Sequence, residues 1–176
     1  MNYHNITYPD MNNGDGLRVV LWLSGCSHHC YNCQNPQTWD VNSGIPFDKS
    51  AKEELFRELD KDYISGLTLS GGDPLHEANL DGVLDLVNEF RLLFPNKSIW
   101  IYSGYQWSEI FNDGVYLTKD CDGWKRREIV KQCTVMIDGK YMDSLRDPQL
   151  KWKGSSNQHV INIEKSMIKG EIVLWD

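Results

Sequence analysis

Cys26, Cys30 and Cys33 stand together in the run Gly25-Cys26-Ser27-His28-His29-Cys30-Tyr31-Asn32-Cys33. A closed zinc site or an ordinary ferredoxin cluster takes four protein ligands. Three thiolates at three-and-two spacing can instead hold three corners of an iron–sulfur cube and leave one iron open. An open iron can bind a small molecule and hand it an electron, so the spacing points to chemistry rather than scaffolding. Read from the loop alone, a zinc knuckle of three cysteines with His28 or His29 remains open. A redox pair from Cys30 and Cys33 is also open, although the strand–CxxC–helix order it needs is missing around it. The histidines themselves read as exposed loop residues.

A second constellation follows at Leu69-Ser70-Gly71-Gly72-Asp73-Pro74-Leu75. Adjacent glycines remove side chains where a backbone must pass close to something, and Pro74 stiffens the exit. Bare carbonyls there can accept hydrogen bonds from a ligand's ammonium group. Alone this is a plain strand-to-helix turn; beside a three-cysteine loop it reads as the other half of a site. Asp138-Gly139, after an apolar run, reads equally as a hairpin turn or as part of that site. Ser155-Ser156-Asn157-Gln158 is polar enough for a surface loop. Cys133 opens an apolar strand and behaves as a small buried hydrophobe, while Cys121 has no evident partner. No acid–base dyad stands out.

These motifs must be positioned by an α/β scaffold. Leu17 to Leu23 is almost wholly apolar, as a strand buried on both faces would be. Ile64 to Ser70, Ser98 to Ser103 and Cys133 to Ile137 read as further strands, so both motifs fall at strand C-terminal ends, where active sites of such folds collect. Between them, Ser50 to Glu53 has capping-box spacing ahead of Leu55, Phe56 and Leu59. Leu80, Val83, Leu84, Val87 and Phe90 repeat at helical spacing until Pro95. Shorter helices are predicted over Trp107 to Phe111 and Trp124 to Gln132, with Lys125-Arg126-Arg127 as a solvated helix start. Asn112 to Gly123 is a polar insertion, and Lys151 to Asp176 a tail with short strands. Strand–helix–strand repeats imply parallel βαβ units. A full (β/α)₈ barrel takes about 250 residues, so this chain can build only a partial TIM-type barrel, open on one side.

The chain's 176 residues suit a single domain with a real core. A net charge of -7 argues against general nucleic-acid affinity. The longest apolar run, Val19 to Leu23, is too short for a membrane span, and Met1 to Asn5 lacks the form of a signal peptide. Five cysteines, three of them clustered, argue against a disulfide framework and for a reducing cytoplasm.

Taken together, the cysteine run and the Gly-Gly-Asp-Pro turn resemble the radical S-adenosylmethionine enzymes. Gly14-Asp15-Gly16-Leu17-Arg18 before the first strand resembles the lead-in of glycyl-radical-enzyme activases. Further likeness lies in Gln34-Asn35-Pro36-Gln37-Thr38-Trp39, Ile99 to Tyr105, Ile137-Asp138-Gly139-Lys140-Tyr141 and Trp152 to Gln158. In order and spacing these are similar to the activating proteins of anaerobic ribonucleoside-triphosphate reductases, over residues 1 to about 160.

The resemblance implies one radical S-adenosylmethionine domain over 1–176, in which Cys26, Cys30 and Cys33 ligate a [4Fe–4S] cluster. S-adenosylmethionine would chelate the open iron. Asn32, Cys33 and Gln34 would contact it largely through backbone, Gly71 and Gly72 would receive its ammonium, and Asp73, Ser103 and Asp138 would line its site. Asn32 stands where many of these enzymes place an aromatic residue. The implied reaction is reductive cleavage to methionine and a 5′-deoxyadenosyl radical, which takes a hydrogen from one glycine of the reductase. An electron donor such as flavodoxin would feed the cluster. The competing reading is a radical enzyme acting on a small molecule, as deazapurine synthases do.

Overall fold

The structure is a computed structural model and describes residues 1–111, 118 and 121–176. In chain order the first elements are β1 (Asn2–Asp10), β2 (Arg18–Leu23), β3 (Ile45–Pro46), α1 (Lys49–Leu59), β4 (Gly66–Gly71) and α2 (Leu80–Leu93). They are followed by β5 (Ser98–Tyr102), α3 (Trp107–Ile110), α4 (Asp122–Lys131), β6 (Val135–Asp138), β7 (His159–Asn162) and α5 (Ile163–Lys169). Among the described residues the strands form one open seven-stranded sheet, in the order β3-β1-β2-β4-β5-β6-β7.

The four expected strands are the parallel centre of this sheet, β2-β4-β5-β6. The expectation of parallel βα units alone needs correction, because β1 pairs antiparallel to β2, and β7 antiparallel to β6. The helix-bearing face is aliphatic: Val19, Leu21, Leu67, Leu69, Ile99 and Ile101 meet Leu55, Leu59, Val83, Val87, Phe90 and Val130, all buried. Each such side chain contributes about 1.5–3 kcal/mol by leaving water. α1 begins earlier than its sequence suggests: the capping residue is Asp48, whose carboxylate accepts from Ala51 N–H at 3.0 Å, and Ser50 lies inside the helix. α4 likewise starts at Asp122, capped by the Cys121 thiol, which accepts from Trp124 N–H at 3.4 Å. The rest of the polar insertion lies largely outside the described residues.

The helix-free face is of different character. Arg18 is fully buried there. Its guanidinium donates to Thr68 Oγ1 (2.7 Å), Leu67 O (2.6 Å) and Ser98 Oγ (2.8 Å) and lies 5.4 Å from the Trp100 ring. Burial pulls its pKa down to about 10, so it remains a cation at neutral pH. Trp100 is covered edge-on by Trp152 at 4.9 Å and Trp175 at 5.8 Å, so the tail closes this end of the face. The tail's Trp175 N–H donates to Val160 O at 2.8 Å, and Leu174 bridges to Ile161. No helix among the described residues is long and apolar enough to cross a membrane.

Candidate functional site

β2 ends at Leu23, and the chain then closes a loop on itself: Gly25 N–H donates to Thr38 O (2.7 Å) and Cys26 N–H to Trp39 O (3.0 Å). Within it, Cys33 N–H donates to Cys30 O at 3.1 Å, and Asn35 N–H to the Cys33 sulfur at 3.4 Å. These bonds hold the three cysteines over the C-terminal end of β2.

The glycine turn is hydrogen-bonded to this loop. Gly72 N–H donates to Leu23 O and Asp73 N–H to Gly25 O, both at 2.7 Å. A side chain could not be carried here: a Cβ on Gly72 would lie 2.5 Å from Gly25 O, and one on Gly71, whose φ is +102°, 2.6 Å from Leu23 N. The close approach that the glycines permit is therefore to the backbone leading into Cys26.

Asp73 is the junction of the site. Its Oδ1 accepts from Leu75 N–H (2.8 Å) and Ser103 Oγ (3.0 Å), and its Oδ2 from Gly104 N–H (2.9 Å), with His28 Nε2 at 2.8 Å. One buried carboxylate thus ties the cysteine loop, its own turn and the end of β5 together. The expectation of exposed histidines fails for His28, whose side chain is only 10% exposed and packs edge-on against Tyr105 at 4.9 Å. Arg126, expected in a solvated helix start, donates to Leu75 O at 2.9 Å and stacks over Tyr105.

Cys26, Cys30, Cys33, Gly71, Gly72 and Ser103 line one cavity of about 130 Å³, together with Asp73. It adjoins a cavity of about 380 Å³ over the helix-free face of the sheet. Cys33, Ser70, Tyr102, Tyr141 and Gln158 line both. Gln34 lines the larger one, beneath Trp152 and Lys153 of the tail. Asn32 lies outside both; it has a left-handed φ of 54°, and its amide donates to Asp143 Oδ2 at 3.2 Å. Asp138 is buried beneath the site, accepting from Trp107 N–H (2.9 Å) and His159 N–H (3.1 Å), while Gly139 and Tyr141 just after it reach the cavity. Cys121 and Cys133 line neither cavity.

Tyr141, Gln158, Tyr102 and Trp39 are cavity residues that sequence reasoning had not assigned to the site, although all four fall within motifs that drew attention. Tyr141 is fixed through its hydroxyl, which donates to Asp143 Oδ1 at 2.8 Å.

Burial pushes the Cys26 thiol up to about 11, and raises Cys30 as well. Both hold their protons at neutral pH, so a metal centre here must displace them on binding. Among the described residues no three His, Cys, Asp or Glu side chains converge tightly enough for a single ion. A cube, by contrast, offers each thiolate its own iron. One buried donor beside the cysteines, Trp39 Nε1, has no hydrogen-bond partner, as expected where a group that accepts hydrogen bonds belongs.

The family described as a 4Fe-4S single cluster domain matches residues 12–161. The anaerobic ribonucleoside-triphosphate reductase-activating protein of Escherichia coli K12 is 40% identical over 162 residues, covering 91% of this chain and 97% of that protein. The protein of that name from enterobacteria phage T4 is 40% identical over 160 residues, covering 91% of this chain and 93% of its own. That of Vibrio cholerae is 36% identical over 160 residues, with 90% and 96% covered. With such likeness along nearly the whole length, this chain belongs to the 4Fe-4S single cluster domain family and, within it, to the anaerobic ribonucleoside-triphosphate reductase-activating proteins.

Proposed function

We propose that this chain activates an anaerobic ribonucleoside-triphosphate reductase by generating a glycyl radical in it. Cys26, Cys30 and Cys33 hold a [4Fe–4S] cluster with one open iron for S-adenosylmethionine. The observation that carries this reading is the shared cavity: three cysteines and a Gly-Gly-Asp-Pro turn meet there at the C-terminal ends of adjacent parallel strands. When bound, the pair supplies one-electron cleavage of the sulfonium to methionine and a 5′-deoxyadenosyl radical; the rest is binding, orientation and dryness.

In this reading the protein's parts divide as follows. The loop closed by Thr38 and Trp39 sets the cysteine spacing. Carbonyls of Gly71 and Gly72 receive the cofactor's ammonium, and the backbone of Asn32, Cys33 and Gln34 follows its length toward the larger cavity. Asp73 and Ser103 hold the turn against the cysteine loop rather than spending their oxygens on the ligand, since both are already engaged with each other and with neighbouring groups. Asp138 fixes the segment that carries Gly139 and Tyr141 to the cavity wall. The open sheet is part of a barrel wall, its missing strands leaving the larger cavity reachable by a loop of the reductase. The whole chain acts as one domain in the cytoplasm, with an electron donor of the flavodoxin class.

Anaerobic reconstitution with iron and sulfide tests the reading. A broad visible iron–sulfur band, and 5′-deoxyadenosine formed from S-adenosylmethionine with dithionite, are expected. A colourless zinc protein would overturn it.

A further inference from the structure

Three buried side-chain polar atoms among the described residues lack a hydrogen-bond partner: Trp39 Nε1, Trp175 Nε1 and Asn157 Oδ1. Such atoms are rare in folded proteins, and each calls for a physical cause. Asn157 Oδ1 is an acceptor, and Trp175 belongs to the aromatic cluster against Trp100. Trp39 differs from both, because it lines the cavity formed by Cys26, Cys30 and Cys33. It is also held there. Its carbonyl accepts from Cys26 N–H at 3.0 Å, and its ring meets the His29 ring edge-on at 4.9 Å and 87°.

An indole N–H can only donate, so the missing partner is an acceptor. The Trp39 side chain is half-buried with its Nε1 enclosed, at the wall of the cysteine cavity, where the acceptor that this site is built to receive is sulfur. We propose that the Trp39 indole N–H donates a hydrogen bond to a sulfur of the iron–sulfur cluster, thiolate or core sulfide, and holds the cluster's reduction potential up. Reduction adds one electron, supplied by an external donor, to the iron–sulfur core. A donor aimed at its sulfur stabilises the more negative reduced form more than the oxidised one. This inference rests on the cluster assignment made above and adds a residue that tunes the cluster without ligating it.

The test is an anaerobic redox titration of the reconstituted protein, followed by electron paramagnetic resonance, for the natural chain and Trp39→Phe. Phenylalanine keeps a flat apolar ring and removes the donor. Equal iron and sulfide content with a midpoint shifted to more negative potential is expected. An unchanged midpoint in a fully loaded variant would overturn the inference while leaving the cluster assignment intact. Failure of the natural chain to bind a cluster would instead overturn that assignment. Should Trp39→Phe not load, the natural chain grown with indole-¹⁵N tryptophan supplies the answer. Hyperfine coupling from an indole nitrogen to the reduced cluster is then expected, and its absence would be contrary.

Discussion

Replacing Asp73 by asparagine removes a charge and one acceptor while keeping the shape. With the amide oxygen left toward Leu75 N–H and Ser103 Oγ, the new NH₂ faces the Gly104 N–H, which the carboxylate had accepted at 2.9 Å. His28 can present its unprotonated nitrogen to that NH₂, but a backbone N–H cannot adapt. A buried donor left unsatisfied costs about 1–3 kcal/mol, and bonds to an ionised acceptor are worth about 1 kcal/mol more than neutral ones. The expected loss is therefore about 2–4 kcal/mol, a large share of a typical total of about 5–15 kcal/mol. Asp73→Ala should cost about 3–5 kcal/mol, because every donor around it is stranded. The assay is urea unfolding of the reduced, ligand-free protein under anaerobic conditions, followed by circular dichroism. A lower midpoint at unchanged slope is predicted. A loss below about 0.5 kcal/mol for Asp73→Asn, within the range of ordinary surface substitutions, would refute the placing of Asp73 at the junction of loop, turn and strand.

Cys26→Ala, Cys30→Ala and Cys33→Ala should each abolish stable cluster binding, whereas Cys121→Ala and Cys133→Ala should not; iron and sulfide content after reconstitution decides it. Gly72→Val should lose cluster binding as well as cofactor cleavage, because its Cβ would meet Gly25 O at 2.5 Å and push the backbone ahead of Cys26; a variant with full iron content would contradict this. Burial pushes the Cys133 thiol up to about 12, so it stays protonated at neutral and mildly alkaline pH. Iodoacetamide at pH 8 should leave Cys133 unlabelled in the folded protein and label it in urea, as peptide mass mapping would show.

The parallel centre of the sheet was legible because β2, β5 and β6 are buried on both faces and read as largely apolar runs, while β4 sets Leu67 and Leu69 among small buried residues. β1 was not. Only Tyr3 and Ile6 are buried in it, and a register shift between Tyr3 and Asn5 breaks the alternation that would mark a strand. The cysteine spacing and the Gly-Gly-Asp-Pro turn exposed the site from sequence, since both are local. What the glycines make room for was not local: the nearest atoms belong to Leu23 and Gly25, nearly fifty residues earlier. His28 looked like a loop residue for the same reason, its partner Asp73 lying 45 positions away. The covering of Trp100 by Trp152 and Trp175 likewise depends on the tail folding back, which no local pattern encodes.

The central claim is that this chain makes a glycine-centred radical in a reductase. Its most direct test is electron paramagnetic resonance on an oxygen-free mixture of the reconstituted protein, S-adenosylmethionine, reductant and the cognate anaerobic ribonucleoside-triphosphate reductase. The predicted result is an organic doublet that disappears when the glycine in the reductase's C-terminal region is changed to alanine. Abundant 5′-deoxyadenosine without any radical on the reductase would contradict the claim and point to a small-molecule substrate instead.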